Sequence, residues 1–272
     1  MDALRQIDGW GATVAAVAVL RDGEVLATRG PRGAALRWAS ISKPLAALAA
    51  LIAAEEGVID LDDAAGPERS TIRHLLAHAS GLPPDDGPPL MPPGRRRIYS
   101  NAGIEAAAAL VAERAGMSFP DYFSAALAGP LGLSGALNGS PAWGYTGPLD
   151  DLLKLGRELL APTLVARETL DEAATVQFPG LVGVLPGFGR QEPNDWGLGL
   201  ELRDAKSPHW TGSRNSPRTY GHFGRSGTFL WVDPDARLAL GCLTDLDFGA
   251  WAVEAWPRLA DSVLAAAGHA DA

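Results

Sequence analysis

Trp38-Ala39-Ser40-Ile41-Ser42-Lys43-Pro44 leads into Leu45-Ala46-Ala47-Leu48-Ala49-Ala50-Leu51-Ile52-Ala53-Ala54, a run that stays apolar on every side until Glu55 and Glu56. Alanine and leucine at this density predict a helix over 42–56, closed by Gly57 as its left-handed residue. A helix with no polar face has nothing to offer water and belongs inside the protein. Pro44 fits its first turn, where amides have no intrahelical carbonyl to lose. Ser40 thus stands at the mouth of a buried helix, and Lys43, three residues on, shares a face with it.

That pairing carries chemistry. A serine hydroxyl is a poor nucleophile until a base takes its proton, and an ammonium qualifies only where burial and neighbouring donors lower its pKa. The cations of this chain are nearly all arginine, with only Lys43, Lys154 and Lys206 as lysines. Arginine cannot shed its proton, so a lysine at this place is informative. The bland alternative makes Ser40 an N-cap and Lys43 a solvated first-turn residue, but an unpaired lysine entering an apolar helix costs free energy. The positive end of the helix also favours an alkoxide, and later an oxyanion, at Ser40.

Working outward, residues 13–20 and 24–28 read as a hairpin around Arg21-Asp22-Gly23. Residues 71–79 form a second helix and 101–115 a third, closed by Gly116, with the Pro-, Asp- and Gly-rich 83–94 as loop between them. Residues 150–160 are helical. Residues 228–232 and 237–243 form a second hairpin around Asp233-Pro234-Asp235. A closing helix over 251–267 is expected to bend or break at Pro257. Strands at both chain ends with helices between imply an α+β fold in which the termini build one antiparallel sheet. A single domain over 1–272 is expected, with one lobe from about 1–62 and 196–272, a helical lobe from about 63–195, and a cleft between.

Composition narrows the function. The 272 residues carry a net charge of -9, which argues against a nucleic-acid partner and against an anionic membrane surface. A small-molecule substrate or a protein is the expected partner. Cys242 is the only cysteine, so neither an internal disulfide nor a thiolate-rich metal site is available. Residues 1–11 lack a secretory pattern and the longest apolar run is too short to span a bilayer, so a cytoplasmic enzyme is expected. No Walker A loop, dinucleotide fingerprint or Gly-x-Ser-x-Gly elbow occurs. His74 and His78 have metal spacing but no third ligand, and are read as packed histidines, with no metal and no organic cofactor expected.

Two further stretches complete a pattern. Tyr99-Ser100-Asn101 opens the third helix, and His222-Phe223-Gly224 precedes the second hairpin. The order Ser-x-x-Lys, Tyr-x-Asn, basic-x-Gly resembles the serine β-lactamase and penicillin-binding protein superfamily, most closely its class C and carboxylesterase-like branch. Glu56-Gly57-Val58-Ile59-Asp60-Leu61-Asp62-Asp63 and Thr71-Ile72-Arg73-His74-Leu75-Leu76-Ala77-His78-Ala79-Ser80-Gly81-Leu82 support it, and the resemblance spans residues 12 to about 256.

The resemblance implies a β-lactamase/transpeptidase-like fold and acyl-enzyme chemistry. Ser40 would be the acylated nucleophile, with Lys43 and Tyr99 sharing the base role. Asn101 would hold Lys43 and the substrate, and His222 would occupy a position usually held by lysine. The amides of Ser40 and of Arg225, just past Gly224, would form the oxyanion hole. Histidine at 222 weakens the fixed charge that meets a β-lactam carboxylate, so esterase chemistry on a small ester or amide is preferred. The alternatives are a D-amino-acid peptidase or acyltransferase on the same residues, and a non-catalytic ligand-binding member. Arg95-Arg96-Arg97 reads as a solvated charge run, 206–217 as a polar loop that could wall the cleft, and Ser226 as a residue that could assist binding.

Overall fold

Both expected hairpins form, and they pair with each other. The computed structural model describes residues 1–268. Its strands are β1 (Ala15–Arg21), β2 (Glu24–Arg29), β3 (Leu36–Arg37), β4 (Ala136–Leu137), β5 (Tyr145–Gly147), β6 (Gly183–Leu185), β7 (Gly189–Gln191), β8 (Glu201–Leu202), β9 (Tyr220–Gly224), β10 (Thr228–Asp233) and β11 (Leu238–Thr244). Its helices are α1 (Ser42–Glu55), α2 (Ile72–Leu76), α3 (Asn101–Ala115), α4 (Phe119–Phe123), α5 (Gly129–Leu131), α6 (Leu149–Leu160), α7 (Arg167–Ala173) and α8 (Ala250–Gly268).

The main sheet has the order β2-β1-β11-β10-β9-β8, antiparallel throughout. The first hairpin turns at Asp22 (φ 50°) and Gly23 (φ 82°), the positive pair that matches strand twist. Register sets Val17 opposite Cys242 and thereby joins the two ends of the chain. Side chains then alternate between two cores. Ala16, Ala18, Leu20, Leu230 and Ala239 face α1 and α6, while Val17, Val19, Trp231, Leu240 and Cys242 face α8 and the N-terminal 3₁₀ helix Asp2–Gly9. Both faces are covered, which is why these strands read as continuous apolar runs.

Three sequence readings change. The second helix ends at Leu76, because His78 turns left-handed (φ 55°) and its carbonyl accepts from Ile98 N–H, while the Ala79 carbonyl accepts from Gly94 N–H. Backbone that serves a neighbouring loop cannot continue a helix. The closing helix runs unbroken through Pro257, held by Trp256, Leu259, Ala260 and Val263 buried against the sheet. Arg97 is buried rather than solvated, and its guanidinium donates to the carbonyls of Ala77, Gln177, Phe178 and Asn194.

Candidate active site

Ser40 lies on a single 3₁₀ turn, Ala39–Ile41, that feeds directly into α1. The turn packs against β9 closely enough that only glycine fits at 224, since a Cβ there would lie 2.3 Å from the Trp38 carbonyl oxygen. The glycine of His222-Phe223-Gly224 is therefore a steric requirement of seating Ser40 on the sheet.

Lys43 is fully buried in the first turn of α1. Its Nζ lies 3.2 Å from Ser40 Oγ, 2.6 Å from Asn101 Oδ1 and 3.1 Å from the Ala142 carbonyl oxygen. Burial lowers its pKa to about 7, against the opposing pull of Glu105 and Asp85. A neutral amine has two N–H groups and one lone pair. With Asn101 and Ala142 as acceptors for the two N–H groups, the lone pair is left for the Ser40 hydroxyl.

Tyr99 comes from the extended residues before α3, with its ring under Lys43 Nζ at 4.6 Å. Burial pushes its pKa well above the ordinary phenol value, while a hydrogen bond with Ser40 pulls the other way. The neutral phenol is the resting form. Ser100 caps α3 by accepting from Gly103 N–H, which fixes Asn101 at the first helical position. Asn101 Nδ2 donates to Asp85 Oδ1 at 2.9 Å, so the 83–94 loop reaches the rim of the site.

His222 sits on β9, buried. Its Nδ1–H donates to the Phe223 carbonyl at 2.7 Å, and Nε2 has no partner. Desolvation first, then the Lys43 charge, lowers its pKa to about 3. His222 is thus a neutral acceptor. Burial thus removes even the weakened charge expected of histidine at 222, and the exposed Arg225 brings a cation to this rim. Ser40, Tyr99, Asn101, His222 and Arg225 line one cavity of about 420 Å³ together with Trp196, Glu201 and Leu185. A larger cleft of about 800 Å³, lined by Asp22, Arg167, Tyr220 and Arg237, contains none of them. Ser40 gathers the chemistry, so the smaller cavity is the candidate site.

Two serines near the site are committed to backbone partners. Ser42 donates to the Ala39 carbonyl and accepts from Tyr145 N–H, and Ser226 donates to the Arg37 carbonyl. The 206–217 loop acts from behind the wall. Glu201 lines the cavity, and its carboxylate is held by Lys206 Nζ, by His209 Nε2 at 2.8 Å and by Trp210 Nε1 at 2.8 Å. The His209 Nδ1 accepts from Thr211 N–H, and burial lowers its pKa against the opposing pull of Glu201.

The sequence reading did not assign His78 a part in the site. Its carbonyl accepts from Ile98 N–H at 2.9 Å and its Nδ1 from Ser100 N–H at 3.2 Å, so it grips the backbone on both sides of Tyr99. Its ring packs on Tyr99 at 4.8 Å and on Trp196 at 4.7 Å. The one sequence signal at His78, its spacing from His74, says nothing of its loop partners. No group of three or more metal-type side chains occurs among the described residues, and none of their helices is long and apolar enough to cross a membrane.

A family model described as Beta-lactamase matches residues 5–265. The crystal structure of a beta-lactamase (Mb2281c) from Mycobacterium bovis is 50% identical, covering 97% of this chain and 99% of that one, with a TM-score of 0.96. EstCE1, a hydrolase with promiscuous acyltransferase activity, is 20% identical over 96% of each chain with a TM-score of 0.78. The octameric penicillin-binding protein homologue from Pyrococcus abyssi is 18% identical, covering 97% of this chain and 75% of that one, with a TM-score of 0.73. The last two share the fold alone. No curated protein matches the chain. A family match over nearly the whole length, and a half-identical relative of the same fold, make this chain a member of the beta-lactamase family.

Proposed function

We propose that this family member is a serine hydrolase that forms an acyl-enzyme at Ser40, with an ester as the preferred substrate. One observation carries the reading. A buried Lys43 with a pKa of about 7 stands 3.2 Å from Ser40 Oγ with both of its N–H groups already assigned. Neutral Lys43 takes the hydroxyl proton as Oγ attacks the carbonyl carbon. The carbonyl π electrons move to oxygen, and the backbone amides of Ser40 and Arg225 stabilise that oxyanion. Collapse re-forms the carbonyl and expels the alcohol, which leaves with the proton held by Lys43 and relayed by the Tyr99 phenol. Water then repeats the sequence on the acyl-enzyme and returns the carboxylic acid and free Ser40.

Ester chemistry is preferred over peptidase or β-lactamase chemistry because His222 offers a neutral acceptor where a substrate carboxylate would need a fixed charge. The Asp85 carboxylate, hydrogen-bonded to Asn101, adds negative charge at the rim. Intact-mass spectrometry after exposure to a fluorophosphonate tests the reading. A single adduct on wild type, none on Ser40→Ala, and turnover of p-nitrophenyl acetate are expected. Folded wild type that gives neither adduct nor turnover sinks the hydrolase and leaves the ligand-binding alternative.

A further inference from the structure

Beside the Ser40 cavity runs a second cavity of about 460 Å³, walled by Pro84, Leu90, Met91, Ile98, Val184 and Pro186. The two share Tyr99 and Pro186 as walls, so the second lies directly against the site. Its lining is almost wholly carbon. Leu90 is 61% exposed and Val184 50% exposed. Single exposed apolar residues need no explanation, but two from distant parts of the chain that converge on one groove do.

The groove is also preformed. Pro83 and Pro84 carbonyls accept from Ser100 Oγ and Asn101 N–H, and Leu90 N–H donates to the Gly81 carbonyl, so the 83–94 loop is tied to the start of α3. On the other wall, Arg97 N–H donates to the Val182 carbonyl and holds β6 in place. Two cations border the groove. The Arg97 guanidinium is committed to four backbone carbonyls, and Arg96 is exposed at the rim. The buried Arg97 in its lining has its guanidinium spent on those carbonyls, and Met91 supplies an adaptable apolar wall.

We infer that this groove binds an aliphatic chain of the ester, so that the substrate carries a medium-length hydrocarbon chain next to its scissile bond. The inference rests on the proposed Ser40 hydrolase for its context. The chain belongs either to the acyl group or to the alcohol, and two ester series separate the cases. One runs from p-nitrophenyl acetate to p-nitrophenyl octanoate, and the other from ethyl acetate to octyl acetate. In the series whose chain enters the groove, kcat/KM rises about tenfold or more from the short to the long member, as burial of several methylenes requires. Val184→Glu and Leu90→Glu each reduce that long-to-short ratio toward one by placing a carboxylate in the groove. A ratio near one in both series, or one unchanged in both variants, overturns the inference.

A binding measurement keeps the two readings apart. In Ser40→Ala, p-nitrophenyl octanoate should quench tryptophan fluorescence, with Trp196 in the cavity wall, at about tenfold or more lower concentration than p-nitrophenyl acetate. Equal affinity for these two esters, together with equal competition by ethyl acetate and octyl acetate for the same site, removes the groove even if wild type turns all of them over. Tighter octanoate binding with no adduct on wild-type Ser40 keeps the groove and removes the hydrolase.

Discussion

Lys43 and His78 decide the site at the scale of single residues. With a lysine pKa of about 7, kcat/KM should rise with pH as Lys43 sheds its proton, half-maximal near 7. The His222 pKa of about 3 gives no competing limb in that range. Lys43→Arg keeps the charge and cannot accept a proton, so its fluorophosphonate adduct should vanish. Near-normal turnover in that variant, or a flat profile between about pH 5 and about pH 9, would contradict a lysine base. His78 predicts a different signature. His78→Phe keeps the ring against Tyr99 and Trp196 but loses the acceptor for Ser100 N–H, so kcat should fall about tenfold with KM little changed. Equal losses in kcat and KM would mark His78 as a folding residue. The Ser-x-x-Lys spacing was legible because it is local to one turn. The part of His78 was not, because its two partners lie some 20 residues on in sequence and only the loop return brings them to it.

At the scale of elements, the 3₁₀ turn and β9 act as one unit. A methyl group at 224 would overlap the Trp38 carbonyl at 2.3 Å and Thr228 Oγ1 at 2.5 Å, so strand or turn must move. Gly224→Ala should cost about 2 kcal/mol of stability and slow Ser40 labelling, measured by denaturant unfolding and by the rate of adduct formation. Labelling at the wild-type rate would show that the turn tolerates the shift. The boundaries of α1 and α3 followed from their caps, Gly57 (φ 72°) and Gly116 (φ 67°), which are local signals. α2 was overextended and Arg97 misread for the same reason. Apolar periodicity reports what a segment can form, and Ala77 to Arg97 spend their polar groups on a loop and on distant carbonyls instead.

The whole molecule buries His78 and His222 in neutral form, each with a pKa lowered by desolvation. The unfolded chain protonates these rings below about 6.5 while the folded chain does not, so the unfolded state binds more protons and stability falls as pH falls. Glu201 adds to this in stronger acid. Burial acts to raise its pKa, but His209 and Lys206 outweigh burial and hold it near 2, so its contribution is present above about 4.5 and lost toward 2. Tm by scanning calorimetry should therefore drop by about 5 °C or more from pH 7 to pH 5. A constant Tm across that interval would mean that the rings are charged in the folded state. The sequence by itself determined the helix that buries Lys43, the two hairpins, the α+β fold and the family, because composition, caps and short spacings act within a few residues. Tertiary structure decided that His222 is an uncharged acceptor, that Tyr99 is gripped by His78, and that Leu90 and Val184 line a groove beside the Ser40 cavity. Burial and long-range contact set those properties, and both exist only once distant segments have packed.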